Sequence, residues 1–98
     1  MFVRIWKYRV HVKHVNEFER AYGPDGDWAI LFGRSSGYEG TRLFRDCSDE
    51  RTYLTADSWS DERHWSLFLS RWKTEYHKLD EELAHLTIED YELLRNPL

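Results

Sequence analysis

Trp72 and Tyr76 lie one helical turn apart, and His77 follows directly. The first two offer an indole N–H and a phenolic O–H, donors suited to an oxygen on a bound aromatic molecule. An unperturbed imidazole titrates near neutral pH, so His77 is a candidate general base. Trp6 and Tyr8 sit two apart on an alternating segment and would share a face, which makes them candidate pocket walls. Phe68 lies one turn before Trp72 on the same stripe. Such a set could hold a flat ring, with Trp72 and His77 in catalytic roles and Trp6, Tyr8, Phe68 and Tyr76 binding the ligand. A plainer reading competes at each position: rings on an apolar stripe pack cores, and a helix-surface histidine meets solvent.

Arg4 falls on the face of Trp6 and Tyr8. A buried guanidinium is costly without a partner, so Arg4 is expected to pair with Asp57 or Asp90 across a sheet, or else to hold an anion. His11 and His14 form an H-x-x-H pair at a strand end, but a metal needs further ligands and a shared face, and neither is evident in the sequence. No metal site and no cofactor are therefore expected. Cys47 has no neighbour that would stabilise a thiolate. Glu81 and Glu82 are adjacent and point apart on a helix, which gives no support to a paired-carboxylate mechanism.

The elements that must position these groups follow from period and punctuation. Alternation over Phe2 to Val12 predicts a strand with Phe2, Arg4, Trp6, Tyr8, Val10 and Val12 on one face and Val3, Ile5, Lys7, Arg9 and His11 on the other. Asn16 is placed to cap a helix carrying Phe18, Ala21 and Tyr22, stopped by Gly23-Pro24. Asp27 would cap a short turn from Trp28 to Phe32, closed by Gly33. Tyr38 to Cys47 and Arg51 to Trp59 read as strands joined by Ser48-Asp49-Glu50, an antiparallel hairpin. Ser60 would cap a helix whose stripe runs Trp65, Phe68, Trp72, Tyr76, Leu79, Leu83 and Leu86 without a break. Thr87 to Leu94 gives a last strand.

The order βαββαβ predicts an α+β, ferredoxin-like sandwich: a four-stranded antiparallel sheet with its helices on one face. The other face needs a cover, and a second copy of the chain can supply it. Residues 1–98 make a single domain, near the low end of what buries a self-sufficient core. The aromatic content of 16% exceeds what so small a core needs, so some rings should line a pocket or a subunit interface. A net charge of −4, with both signs spread along the chain, argues against nucleic-acid binding. The single cysteine excludes a disulfide framework within one chain and points to a reducing, cytoplasmic setting. The charged, alternating start does not read as a signal peptide, and no apolar run approaches the roughly 18 residues that would span a membrane.

Several segments carry a family likeness. Asp25-Gly26-Asp27-Trp28 with Leu31-Phe32, then Gly37-Tyr38-Glu39-Gly40-Thr41-Arg42-Leu43, then Tyr53-Leu54-Thr55-Ala56-Asp57-Ser58-Trp59-Ser60 resemble the antibiotic biosynthesis monooxygenase family of the dimeric α/β-barrel superfamily. The likeness continues through Phe68, Trp72, Tyr76, Leu79 and Asp80. It implies a homodimer whose sheets pack face to face, with a pocket between each sheet and its helices. It also implies oxygenation of a small aromatic or quinol-type molecule without metal or flavin. Such a substrate can lose a proton and pass an electron to oxygen, so the protein need only desolvate it and stabilise the anion. Relatives that degrade haem use an Asn on the first strand and a Trp and a His on the long helix. Trp6 and Phe68 occupy the first two positions here and His77 is one residue out of register, which argues against haem. The same missing Asn leaves open an alternative of another class, a non-catalytic dimer of this fold that binds a ligand or serves as an accessory subunit.

Overall fold

The computed structural model describes residues 1–96. Strand β1 (Phe2–Val10) is followed by helices α1 (Val15–Tyr22) and α2 (Asp27–Phe32), strands β2 (Tyr38–Arg45) and β3 (Thr52–Trp59), helices α3 (Glu62–Arg71) and α4 (Lys73–Leu83), and strand β4 (Thr87–Arg95). Short 3-10 turns at Val12–His14 and Ala84–Leu86 join the layers. The sheet order is β2-β3-β1-β4 with every pairing antiparallel, the α+β ferredoxin-like topology expected from the element order. Among the described residues no helix is long and apolar enough to cross a membrane.

Two strands are shorter than the sequence suggested, β1 ending at Val10 with Val12 exposed in the following turn and β2 ending at Arg45 before Cys47, and three helix boundaries differ, each for a local reason. Helix α1 starts at Val15, and Asn16 lies inside its first turn rather than capping it. The chain leaves β1 through the Val12–His14 turn, held by His11 N–H to Leu86 O at 2.9 Å and His14 N–H to His11 O at 2.8 Å, so it is already helical before Asn16. The cap of α3 is Asp61, whose carboxylate accepts the His64 N–H at 2.8 Å; Ser60 is tied to Gly37 O through its own N–H at the end of the hairpin. The long stripe is broken at Trp72, whose φ of −113° and ψ of 25° leave the helical region and divide α3 from α4.

Burial follows the pleat. On β1 the side chains of Phe2, Arg4, Tyr8 and Val10 are buried, and on β3 those of Tyr53, Thr55, Asp57 and Trp59, while the alternate residues are half-buried. Much of the aromatic content is core. The Phe32 ring lies 5.4 Å from Trp59, 6.2 Å from Trp65 and 5.3 Å from Phe68, edge to face in each case. At roughly 1 kcal/mol per aromatic pair beyond area burial, such contacts stabilise a domain this small appreciably.

Among the described residues no layer covers the opposite sheet face. Phe44, Leu54, Lys7 and Tyr91 stand in one row across the four strands, and Arg42, Ala56, Ile5 and Leu94 in the next. Phe44, Tyr91 and Leu94 are exposed there by 41%, 47% and 52%. Strand β4 does not keep the simple alternation expected of it. Register shifts between Ile5 and Trp6 and between Arg9 and Val10 leave Leu93 and Ile88 unpaired, which moves Leu94 onto the face of Tyr91.

Candidate functional site

The helix-side face carries a polar row where a core would be apolar. Thr41 on β2, Asp57 on β3 and Arg4 on β1 stand side by side, followed by Thr55 with Trp6, then Tyr53 with Tyr8 and Asp90. Thr41 reaches its place through an irregularity between Tyr38 and Gly40, and Gly40 takes a φ of +134° that a side chain would resist. The row borders a cavity of about 40 Å³ whose remaining walls include Tyr22, Trp28, Tyr76 and Asp80 from the helices.

Asp57 is the chemical centre of this row. It is 7% exposed, and its Oδ1 accepts a hydrogen bond from the Thr41 hydroxyl at 2.6 Å. Thr41 in turn accepts from the Tyr38 phenol, so a chain of hydroxyls runs from a half-buried tyrosine to the buried carboxylate. Burial pushes the Asp57 pKa up to about 6, against the pull of the Thr41 hydrogen bond and the Arg4 charge. A carboxylate in that range is largely ionised at neutral pH yet basic enough to take a proton.

Arg4 is 5% exposed and is paired, but not with Asp57 or Asp90 as the sequence suggested. Its Nε donates to Glu92 Oε2 at 2.9 Å, because the bulge at Leu93 brings Glu92 diagonally within reach. Burial alone would raise the Glu92 pKa, but hydrogen bonds from Arg95 and the charge of Arg4 hold it below its usual value. The Arg4 guanidinium lies 3.9 Å over the Trp65 ring and 5.5 Å from Trp6. Tyr8 hydrogen-bonds Thr55 at 3.1 Å, and burial raises its phenol well above the ordinary value. Burial likewise raises Tyr76, against the charge of Arg4, and lifts Tyr22 to about 12. All three phenols stay protonated at neutral pH and act as hydrogen-bonding groups. Trp28 has a buried indole N–H with no acceptor among the described residues. Asp90 is raised by burial and by the nearby charge of Asp80.

The residues singled out from sequence divide into two groups. Trp6, Tyr8 and Tyr76 meet at the cavity wall. Phe68, 2% exposed, is packed in the ring cluster under α3 and does not border the cavity. Trp72 lies at the break between α3 and α4, its ring 4.7 Å from the Arg34 guanidinium and 5.4 Å from that of Arg71, and it is not a wall residue. His77 is exposed on α4 with its ring set edge-on to Tyr76, outside the cavity. Asp57, Thr41 and Thr55 were not singled out as site residues. The available signal was an acid and a hydroxyl, Asp57 and Thr55, on the inward face of a strand whose other inward residues, Tyr53 and Trp59, are aromatic.

A ferredoxin-like sandwich with an aromatic-walled, acid-bearing cavity between sheet and helices defines the class of protein. No family model matches the chain, and no curated protein matches it in sequence. Solved structures do. SnoaB, a cofactor-independent oxygenase from Streptomyces nogalater, superposes in a point-mutant form with a TM-score of 0.77 at 18% identity, over 99% of this chain and 91% of that one. A proposed antibiotic biosynthesis monooxygenase from Deinococcus radiodurans gives 0.74 at 12% identity, over 100% and 92% of the two chains. Another from Bordetella bronchiseptica gives 0.73 at 15%, over 99% and 95%. The chain therefore has the fold of the antibiotic biosynthesis monooxygenases along its whole length, as its sequence resemblance implied.

Proposed function

We propose that the protein is a cofactor-independent oxygenase that deprotonates a small aromatic or quinol-type substrate and lets it react with dioxygen. The observation that carries this reading is Asp57, a buried carboxylate with a pKa of about 6, set beside the Arg4 guanidinium in an aromatic-walled cavity. The cavity is rich in acids, so a free anion is not favoured there. A neutral phenol or anthrone is acceptable, because passing its proton to Asp57 leaves the total charge of the site unchanged. The resulting oxyanion lies in reach of Arg4 and the phenols of Tyr8 and Tyr76, which stabilise it without reorganisation. The anion then gives an electron to dioxygen, and the pair recombines to a peroxide. Loss of water from the peroxide leaves a carbonyl on the substrate. The two hydrogens and all the electrons come from the substrate; one oxygen atom enters it and the other leaves in water.

A second copy of the chain, docked on the bare sheet face through Phe44, Leu54, Ile5, Tyr91 and Leu94, completes the assembly in this proposal. The rows of half-exposed apolar residues support it.

The small cavity bears on a second reading, a non-catalytic dimer of this fold that binds a ligand or serves as an accessory subunit. About 40 Å³ accommodates roughly three waters but not a ring, so an aromatic ligand enters only if half-buried Trp6 and Tyr76 move outward. Oxygen uptake with a panel of anthrones and quinols separates the two. Turnover by the wild type, with a loss of about a hundredfold or more in Asp57→Asn, supports the oxygenase. Trp72→Phe and His77→Ala, both outside the cavity, should keep the wild-type rate. Quenching of tryptophan fluorescence by the same compounds without oxygen uptake would replace the oxygenase with the binding protein.

A further inference from the structure

Away from the cavity, where β1 runs into α1 and α4 runs into β4, two histidines and a glutamate converge. The Nδ1 of His14 lies 3.6 Å from Glu17 Oε1, and the Nε2 of His85 lies 3.3 Å from Glu17 Oε2. The three ligand atoms all lie within 4.8 Å of one another. Ligand atoms bound at about 2.0–2.2 Å around a tetrahedral zinc stand about 3.3–3.6 Å apart; each imidazole is already that far from a Glu17 oxygen, though from a different one, so a turn of the carboxylate and a closer approach of the two imidazoles bring one oxygen and both nitrogens to an ion. We infer that His14, Glu17 and His85 form a site for a borderline divalent ion such as zinc, with water in the remaining position.

The donor set excludes the hard ions. Two imidazoles and one carboxylate favour zinc, nickel or copper over magnesium or calcium, which take oxygen ligands. The three side chains are between a third and a half exposed, so an ion has an open path. They are also held in place. His14 and His85 pack edge to face at 5.0 Å, His11 lies 5.3 Å from His14, and the His11 N–H bonds Leu86 O beside His85. The Nδ1 of His11 is engaged by the Lys13 N–H, which makes His11 a buttress for His14 rather than a ligand. An ion here fastens the β1–α1 turn to the α4–β4 turn, two segments far apart in sequence that meet at one edge of the domain. Its role is a structural clamp.

Titration calorimetry of the tag-free chain with zinc chloride should give one ion per chain. At free zinc about a hundred times the Kd, the thermal midpoint should rise by about 10 °C. Glu17→Gln and His85→Ala should each weaken binding by more than about tenfold, since even outer-shell losses cost that much. The exposed thiol of Cys47 is the competing ligand, so Cys47→Ser must bind as the wild type does. His77→Ala should also be unchanged. Cobalt in place of zinc should give visible absorption without a thiolate charge-transfer band. Zinc binding that survives Glu17→Gln and His85→Ala, that is lost in Cys47→Ser, or that is absent at millimolar zinc overturns the assignment and leaves an ordinary ion-pair cluster.

Discussion

Replacing Asp57 by Asn should make the protein more stable at alkaline pH while removing its candidate base. The carboxyl has a pKa of about 6 in the folded chain against an ordinary value of 3.8. Folding therefore takes up a proton between about pH 4 and 6, and the contribution of this group becomes steadily more unfavourable as pH rises through that window. Above about pH 6 the ionised form is disfavoured in full, by about 3 kcal/mol at pH 8. At pH 4.5 the same relation leaves about 1 kcal/mol. Asn is close in shape to the protonated acid and still offers an oxygen to the Thr41 hydroxyl, so it should escape most of this penalty. Urea unfolding of wild type and Asp57→Asn at the two pH values measures it. At pH 8 a gain of about 3 kcal/mol moves the midpoint up by about 1.5 M, and the gap should narrow by about 2 kcal/mol at pH 4.5. A variant less stable than wild type at pH 8 would mean that the Asp57 anion is a net stabilising partner of Arg4. A gap that does not change with pH would mean that the carboxyl titrates at its ordinary value, and the case for a poised base would fall with it.

Three other outcomes follow from the same geometry. With any substrate that is turned over, kcat/KM should rise with pH through a single ionisation near 6 as Asp57 loses its proton; a profile flat from pH 5 to 8 removes Asp57 as the base. Phe68→Ala should destabilise by about 3–5 kcal/mol in urea unfolding because the ring is 2% exposed, and Trp72→Ala, at a side chain half-buried against the edge of the core with two guanidinium groups near its ring, by less, about 1–3 kcal/mol; a reversed order contradicts the packing described. Sedimentation at micromolar concentration should show a dimer that Phe44→Glu with Leu94→Glu converts to a folded monomer, and a wild-type monomer would refute the pairing of bare sheet faces.

The fold was legible in the sequence because its signals are local. The alternation from Phe2 to Val10, the short polar turn between two strand-like runs and the apolar spacing on either side of Trp72 are patterns that survive packing. The boundaries that went astray depend on contacts distant in sequence. Asn16 reads as a cap only until His11 is tied to Leu86, and the stripe reads as one helix because its spacing continues across Trp72 although the backbone there does not. The register of β4 was hidden for the same reason. A bulge is a property of a strand pair, and neither Leu93 nor Ile88 announces that it will be skipped.

The site was less legible, and the reason is physical. Sequence reasoning ranks residues by intrinsic chemistry, which favours a histidine near neutral pH and an indole on a stripe, and so His77 and Trp72 came first. Position reverses that ranking. The exposed imidazole of His77 stands outside the cavity, whereas the buried carboxylate of Asp57 is moved by its surroundings to a pKa where it can exchange protons at neutral pH. No single-residue rule predicts that shift, because it arises from burial of the acid in the folded chain, beneath a cavity whose helix-side walls include Tyr22, Trp28 and Tyr76. A domain of this size has roughly 5–15 kcal/mol of net stability, and about 3 kcal/mol spent on one buried anion is a sizeable share of it. A neutral residue of the same shape at position 57, still accepting from Thr41, would serve the fold better. The penalty is intelligible if the anion is used, and a strand that alternates Tyr53, Thr55, Asp57 and Trp59 inward is where that use should be sought.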